Sequence, residues 1–130
     1  MNKISQHFTI EEFECHCGCD QLIVKRQLVE MAEEFRAYLC EKYKQEVAIN
    51  VHCVNRCKEH NDSLPNSVPT STHITGRAMD LHAPALPMAE LHKSAEECFD
   101  EEGILWGGLG YYNWGIHIDV SRFRTWGKKV

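Results

Sequence analysis

The chain has no long apolar run and no run of basic residues, and these two absences limit where it can act. Within its 130 residues no hydrophobic stretch reaches the length that spans a bilayer, and the polar start, Met1–His7, lacks the apolar core of a signal peptide. We therefore expect the protein to be made and kept in the cytoplasm, unless something else releases it. The net charge of −5 argues against nucleic acids and anionic membranes as partners.

Internal repeats, low-complexity segments and linkers are also lacking. The length suits one domain around one hydrophobic core, and a content of 43% hydrophobic and 25% charged residues is ordinary for a soluble globular protein. The sequence therefore predicts one domain over residues 1–130, and we expect that domain to be a monomer.

Hydrophobic periodicity gives the order of the secondary structure. Apolar residues at helical spacing predict helices over residues 10–13, 24–45 and 88–102. Alternating or apolar runs predict strands over residues 47–53, 78–82, 104–112 and 115–120, the last two joined as a hairpin. Residues 61–70 are rich in Asn, Ser and Pro and predict a surface loop. This order predicts an α+β fold, with a small antiparallel sheet and helices packed on one side.

Two histidines and an aspartate stand out as a metal-binding pattern. The segment Ser71–Asp80 has the form S-x-H-x-x-G-x-A-x-D, and His117 follows Asp80 by 37 residues within an apolar strand. Zinc binds neutral imidazole nitrogen and carboxylate oxygen, and three protein ligands leave its fourth position open for water. Each histidine taken alone is more often a surface or core residue, but the set of His73, Asp80 and His117 predicts a catalytic zinc site.

The same residues carry a family resemblance. The Ser71–Asp80 motif resembles the zinc-ligand motif of the M15 peptidases, the D-Ala-D-Ala carboxypeptidase family, in its small single-domain branch. Arg56 and Asn61 match that branch's S-G-Y-R-x-x-x-x-N segment, although Cys53-Val54-Asn55 replaces Ser-Gly-Tyr. Segments near both ends of the chain are also similar, so the resemblance covers about residues 8–126.

The resemblance implies a cofactor, a substrate class and a fold. It implies one catalytic Zn²⁺ on His73, Asp80 and His117, and hydrolysis of peptide bonds in bacterial cell-wall peptides, often beside D-amino acids. The implied partner is a peptidoglycan stem peptide or another D-amino-acid-containing peptide, cut by carboxypeptidase or endopeptidase action. The implied fold is the small α+β fold that the DD-peptidases share with the hedgehog signalling domain.

Arg56 and Asp119 are the predicted catalytic residues. The resemblance implies that Arg56 holds a substrate carboxylate or carbonyl, which suits the rigid bidentate fork of a guanidinium. Many family members place a Glu or Asp three residues before the last histidine ligand, or a His two residues before it, but this chain has Trp114 and Gly115 there. Asp119 is the first substitute for the general base, although it could equally hold a histidine tautomer, and His82 is the second.

The seven cysteines divide into two clusters and two isolated residues. The clusters are Cys15, Cys17 and Cys19, and then Cys53 and Cys57. Cys40 and Cys98 lie at apolar positions of the predicted helices and are expected in the core. Together the clusters could hold a second, structural zinc, although neither has the C-x-x-C spacing of zinc ribbons. Disulfides, if the protein acts outside the cell, and free thiols are the open alternatives.

Two functions from different classes follow from these patterns. A zinc peptidase that acts on peptidoglycan, in the manner of an endolysin, is favoured by the ligand set and by Arg56. If such an enzyme is of phage origin, we expect its release from the cytoplasm to the cell wall. The alternative is a non-catalytic zinc-containing domain that binds a partner or wall peptide. The tryptophan at position 114, where a base is expected, favours this alternative.

Overall fold

The computed structural model describes residues 2–130, which form four helices and five strands. In chain order these are α1 (Ile10–Phe13), α2 (Arg26–Tyr43), β1 (Asn50–Cys53), α3 (Lys58–Ser63), β2 (Ala78–His82), α4 (Met88–Cys98), β3 (Gly108–Tyr112), β4 (Gly115–Asp119) and β5 (Arg124–Gly127). The predicted α+β class is confirmed. None of the described helices has both the length and the apolar character that a membrane span requires.

The strands form one sheet in the order β1-β2-β4-β3-β5. The pairs β1–β2, β2–β4 and β4–β3 are antiparallel, as predicted, and Tyr112 pairs with Gly115, so a two-residue hairpin loop joins β3 to β4. Strand β5 was not predicted, and it lies parallel to β3 at the sheet edge. The prediction of an antiparallel sheet therefore holds for four of the five strands.

One face of the sheet packs against the two longer helices. Helix α2 buries five residues at helical spacing: Leu28, Met31, Ala32, Phe35 and Leu39. Alternate strand residues, among them Met79, Leu81, Ile116 and Ile118, belong to the same core, together with Leu91 of α4. Because side chains alternate along a strand, the residues between these apolar positions point to the opposite face. That second face carries Asp80 and His117.

Several predicted bounds were too long, and one helix was missed. Strand β1 begins at Asn50, three residues after the predicted start. Helix α4 ends at Cys98, because Phe99 is extended and bridges to Leu105, so the helix does not reach the predicted residue 102. The predicted loop over 61–70 overlaps α3, whose first turn is capped by the sulfur of Cys57 accepting from the His60 amide. Cysteine is not among the residues that usually signal an N-cap, so no sequence pattern marks the start of this helix.

Candidate zinc centre

The three predicted ligands meet on the open face of the sheet. Asp80 of β2 and His117 of β4 are paired neighbours, and His73 reaches them from the loop that precedes β2. His73 Nε2 lies 3.1 Å from Asp80 Oδ2, and His117 Nδ1 lies 3.0 Å from Asp80 Oδ1. All three residues are buried, and one ligand atom from each lies within 4.8 Å of the others.

The hydrogen bonds of the two imidazoles leave one nitrogen of each for a metal. His73 Nδ1 lies 2.9 Å from the Val54 carbonyl oxygen and donates to it, so Nε2 is the free atom. His117 Nε2 lies 2.8 Å from Asp119 Oδ2, which leaves Nδ1 facing Asp80. Bonds of about 2.05 Å in tetrahedral geometry place zinc ligands about 3.3 Å apart, close to the separations found here. Two imidazoles and a carboxylate in this arrangement fit Zn²⁺.

Charge pairing dominates the electrostatics of the three ligands. Burial acts to raise the pKa of Asp80, but hydrogen bonds from His117 and His73 outweigh it and hold that pKa well below its usual range. Burial likewise acts to lower the pKa of His73, but the bond to Asp80 outweighs it and raises the pKa to about 10. Zinc therefore has to displace a proton from His73 at neutral pH, since only neutral imidazole binds metal.

The backbone around His73 explains the glycine in the motif. Gly76 has a φ of +67°, and a Cβ there would lie 1.8 Å from the Ile23 carbonyl oxygen. Its own carbonyl accepts from the Lys25 amide at 3.0 Å. Asn55 joins the same segments, since its side chain donates to the His73 carbonyl at 3.1 Å and accepts from the Ile23 amide at 3.0 Å. The loop that carries His73 is thus fixed to the segment before α2.

Asp119 lies behind the zinc ligands and has no free lone pair. Its carboxylate is fully buried and accepts from six donors: His117 Nε2, Gly108 N, Ser121 N, Ser121 Oγ, and both Nη atoms of Arg124. Burial acts to raise its pKa, but bonds from His117, Arg124 and Ser121 outweigh it and hold the pKa far below the usual range. This geometry favours the tautomer-holding role of Asp119 over the role of general base.

The ligands open onto a cleft of about 760 Å³. Four guanidinium groups line it, from Arg56, Arg77, Arg122 and Arg124, along with the loop over residues 66–72, Tyr112 and Trp126. Asp80 is the one carboxylate among the described residues of the lining. The cleft is therefore positive although the whole chain is acidic, and it suits a ligand that carries carboxylates.

Arg56 is held in this cleft by the short helix α3. Its Nη1 donates to Asn61 Oδ1 at 2.7 Å, and the buried Asn61 donates in turn to the Val68 carbonyl at 2.9 Å. Arg56 Nε is buried and has no hydrogen-bond partner among the described residues. The predicted substrate-binding arginine thus lines the zinc cleft with one donor unused.

Three other predictions for this region have different outcomes. His82, the second candidate base, is not in the cleft lining, and its Nδ1 lies 2.6 Å from His52 Nε2. Trp114, at the position expected for a base, is exposed and stacks on Tyr112 at 4.9 Å. Cys53 does not join the other clustered cysteines, because β1 pairs it with Asp80 and its sulfur lies 3.6 Å from His73 Nδ1. Cys53 is therefore not part of the group that the five clustered cysteines were predicted to form.

Sequence analysis missed the two cleft residues of β5. Arg124 binds Asp119, and the Trp126 ring lies 4.9 Å from the His117 ring. Gly110 of β3 makes room for that ring, since a Cβ there would lie 2.5 Å from it. A period-two pattern could have revealed this strand, since Arg122, Arg124 and Trp126 occupy every second position.

The family of the chain follows from a comparison with known sequences. A family model described as Peptidase M15 matches residues 6–119, a range that includes all three ligands, Arg56 and Asp119. Searches of curated proteins and of solved structures gave no match. The family's zinc-dependent hydrolytic chemistry agrees with the donor set of the cleft. Since the match spans most of the chain, the protein belongs to the M15 family of metallopeptidases.

Proposed function

We propose that the protein hydrolyses peptide bonds in bacterial cell-wall peptides, as a D-Ala-D-Ala carboxypeptidase or an endopeptidase. The observation that supports this most is the position of His73, Asp80 and His117 within a cleft lined by four arginines. Peptidoglycan stem peptides carry free carboxylates, and guanidinium groups bind carboxylates in a bidentate manner. The substrate class therefore matches the charge of the cleft.

The side chains of the cleft would orient the peptide. Bound at this site, Zn²⁺ would supply Lewis-acid polarisation of a carbonyl and activation of water. Arg56 Nη1 bonds Asn61 and its Nε is enclosed by protein, so a remaining Nη donor of the guanidinium would hold a substrate carbonyl or carboxylate oxygen. Asn61 fixes the guanidinium from the side, so the donor is oriented before the substrate arrives.

Proton transfer is the step with the least support from the cleft. Asp119 has all its acceptor positions filled, and His82 is outside the lining. Tyr112 lines the cleft, but burial raises the pKa of its phenol, so it stays protonated at neutral pH and can act as a general acid but not as a general base. Asp80 is the remaining carboxylate of the lining, but it is a zinc ligand and its pKa is held well below the usual range, so a carboxylate of the substrate itself is the group left to take the proton.

The second candidate function is a zinc-containing domain that binds a wall peptide without cutting it. The filled acceptor positions of Asp119 and the exposed Trp114 favour it, because both weaken the case for a general base. Such a domain would use the same arginines and the same zinc. It differs from the peptidase only in turnover.

Digestion of purified peptidoglycan distinguishes the two functions. Zinc-loaded protein is incubated with peptidoglycan or with peptides ending in D-Ala-D-Ala, and new amino termini and product masses are measured. We expect cleavage by the wild type, none by His73→Ala, and normal cleavage by His52→Ala, a histidine outside the cleft. A zinc-loaded wild type that binds these peptides but releases no product would refute the peptidase and leave the binding domain.

A further inference from the structure

Four cysteines outside the cleft meet at one point. Cys15 Sγ lies 3.5 Å from Cys17 Sγ, which lies 3.6 Å from Cys57 Sγ, and Cys19 completes a set whose sulfurs all lie within 4.8 Å of one another. Three of them belong to the loop after α1, whereas Cys57 caps α3 some forty residues later. The fold therefore brings two distant segments together through their sulfur atoms.

The separations between these sulfurs fit metal ligands better than disulfides. Zinc–sulfur bonds of about 2.3 Å in tetrahedral geometry place the sulfurs about 3.8 Å apart. A disulfide joins two sulfurs at about 2.05 Å, whereas Cys17 Sγ has two sulfur neighbours at nearly equal distances, Cys15 and Cys57. All four sulfurs lie within 4.8 Å of one another, which is too close to surround a cluster of several irons, so the set suits one tetrahedral ion.

Backbone amides point at three of the four sulfurs. The Cys57 amide donates to Cys15 Sγ at 3.3 Å, the His60 amide to Cys57 Sγ at 3.4 Å, and the Gln21 amide to Cys19 Sγ at 3.5 Å. Donors of this kind stabilise anionic thiolates, the form of cysteine that binds metal. Gly18, with a φ of +98°, lies between Cys17 and Cys19 and lets the loop turn around the site.

We infer that Cys15, Cys17, Cys19 and Cys57 bind a structural Zn²⁺, separate from the His73–Asp80–His117 centre. Four thiolates fill the tetrahedron and leave no position for water, which is the mark of a structural site. The ion would cross-link the loop after α1 to the start of α3. A six-residue helix is marginal by itself, so such a link would stabilise it.

This second zinc would also hold the substrate-binding Arg56 in position. That role rests on the proposed function, whereas the existence of the metal site does not depend on it. Cys57 is the neighbour of Arg56 in the chain, and Asn61, which holds the guanidinium at 2.7 Å, lies on the helix that Cys57 caps. The Asn55 amide also donates to the Phe13 carbonyl of α1 at 3.0 Å. Loss of the ion should therefore loosen Arg56 rather than empty the catalytic centre.

Metal analysis of the full chain, purified under reducing conditions without chelators, tests the site. We expect two zinc ions per chain in the wild type and one in the double variant His73→Ala/His117→Ala. X-ray absorption on that double variant should show four sulfur ligands at about 2.3 Å and no nitrogen. Cys17→Ser/Cys19→Ser should keep one zinc, bound by nitrogen and oxygen, and the control Cys40→Ser, outside the set, should keep two.

Three results would overturn the inference: zinc-free His73→Ala/His117→Ala protein, iron in place of zinc, or a mass lowered by the hydrogens lost in a disulfide. If Cys17→Ser/Cys19→Ser does not fold, X-ray absorption on His73→Ala/His117→Ala still shows whether four sulfurs bind the zinc. If it folds, KM for a cleaved peptide should rise about tenfold with the catalytic zinc retained, and an unchanged KM would refute the bracing of Arg56. A wild type with two zinc ions and no peptidase activity would refute the proposed function alone.

Discussion

Replacement of Asp119 by asparagine separates the two roles open to that carboxylate. Oδ2 accepts from His117 at 2.8 Å, while Oδ1 accepts from the Gly108 and Ser121 amides. Asparagine keeps the shape but turns one oxygen into an NH₂ donor. Because amide donors face the Oδ1 position, the NH₂ would take the Oδ2 position, face His117 Nε2 and favour the tautomer with its proton on Nδ1.

The size of the effect follows from that change of tautomer. His117 protonated on Nδ1 cannot offer this nitrogen to zinc, and loss of such a supporting partner lowers metal affinity about 10- to 100-fold. This corresponds to about 1.4–2.8 kcal/mol of binding free energy. The fold is also destabilised, by about 1–3 kcal/mol, because Arg124 loses part of its charged partner.

Competition with a chromophoric zinc chelator measures the affinity, and urea unfolding measures the stability. We expect weaker zinc binding for Asp119→Asn, with much of the turnover restored at saturating zinc. Ser121→Ala is the control, since it removes a hydroxyl donor to the same carboxylate without touching His117, and its zinc affinity should be unchanged. Normal zinc affinity together with lost turnover in Asp119→Asn would show that the carboxylate acts on the substrate, and the tautomer argument would be wrong.

Three further predictions concern the cleft, the ligand loop and the start of the chain. Arg56→Lys should lower kcat/KM about 100-fold or more at full zinc content, because lysine lacks the guanidinium fork, while Arg122→Lys at the exposed rim should change it little. Gly76→Ala should lower the free energy of unfolding by about 3 kcal/mol, measured with urea, because its Cβ would overlap a backbone carbonyl at positive φ. Glu33 accepts three hydrogen bonds from residues 5 and 7, which outweigh burial and lower its pKa. The stability it provides is therefore present above the unfolded pKa of 4.5 and lost as pH falls through the lower folded value, so Glu33→Gln should cost about 1–2 kcal/mol at pH 7 and progressively less towards pH 4 in urea titrations.

The zinc ligands were predictable because residue type and strand alternation carry the information. His117 lies between two buried isoleucines, so the period of two places it on the face opposite the core, and Asp80 lies between Met79 and Leu81 in the same way. Register then makes Asp80 and His117 neighbours, which spacing alone cannot show. Alternation also predicts the sheet face on which Asp119 lies, but it does not predict the donors that surround the carboxylate. The sequence therefore does not distinguish a general base from a partner that holds the His117 tautomer.

The cysteine clusters show where spacing fails. Cys53 and Cys57 are only four residues apart, yet Cys53 is the last residue of β1 and Cys57 is the N-cap of α3. Cys53 therefore lies beside His73, whereas Cys57 lies with Cys15 and its neighbours. Strand β5 was missed because its pairing with β3 is parallel and non-local, so no hairpin signal marks it.

The arrangement of the sheet separates metal binding from catalysis. One row of paired residues holds Asp80, His117 and Gly110. Two rows along, on the same face, are Asp119 and Gly108, and a Cβ on Gly108 would lie 2.4 Å from the Asp119 carboxylate. The groups that fix the tautomer of His117 lie in these rows, on β5 or at Ser121 between β4 and β5, and none lies at position 114, in the hairpin loop. A chain can therefore lose a base at that position and still bind zinc with full affinity. Zinc content cannot decide between a peptidase and a binding domain, and turnover has to be measured directly.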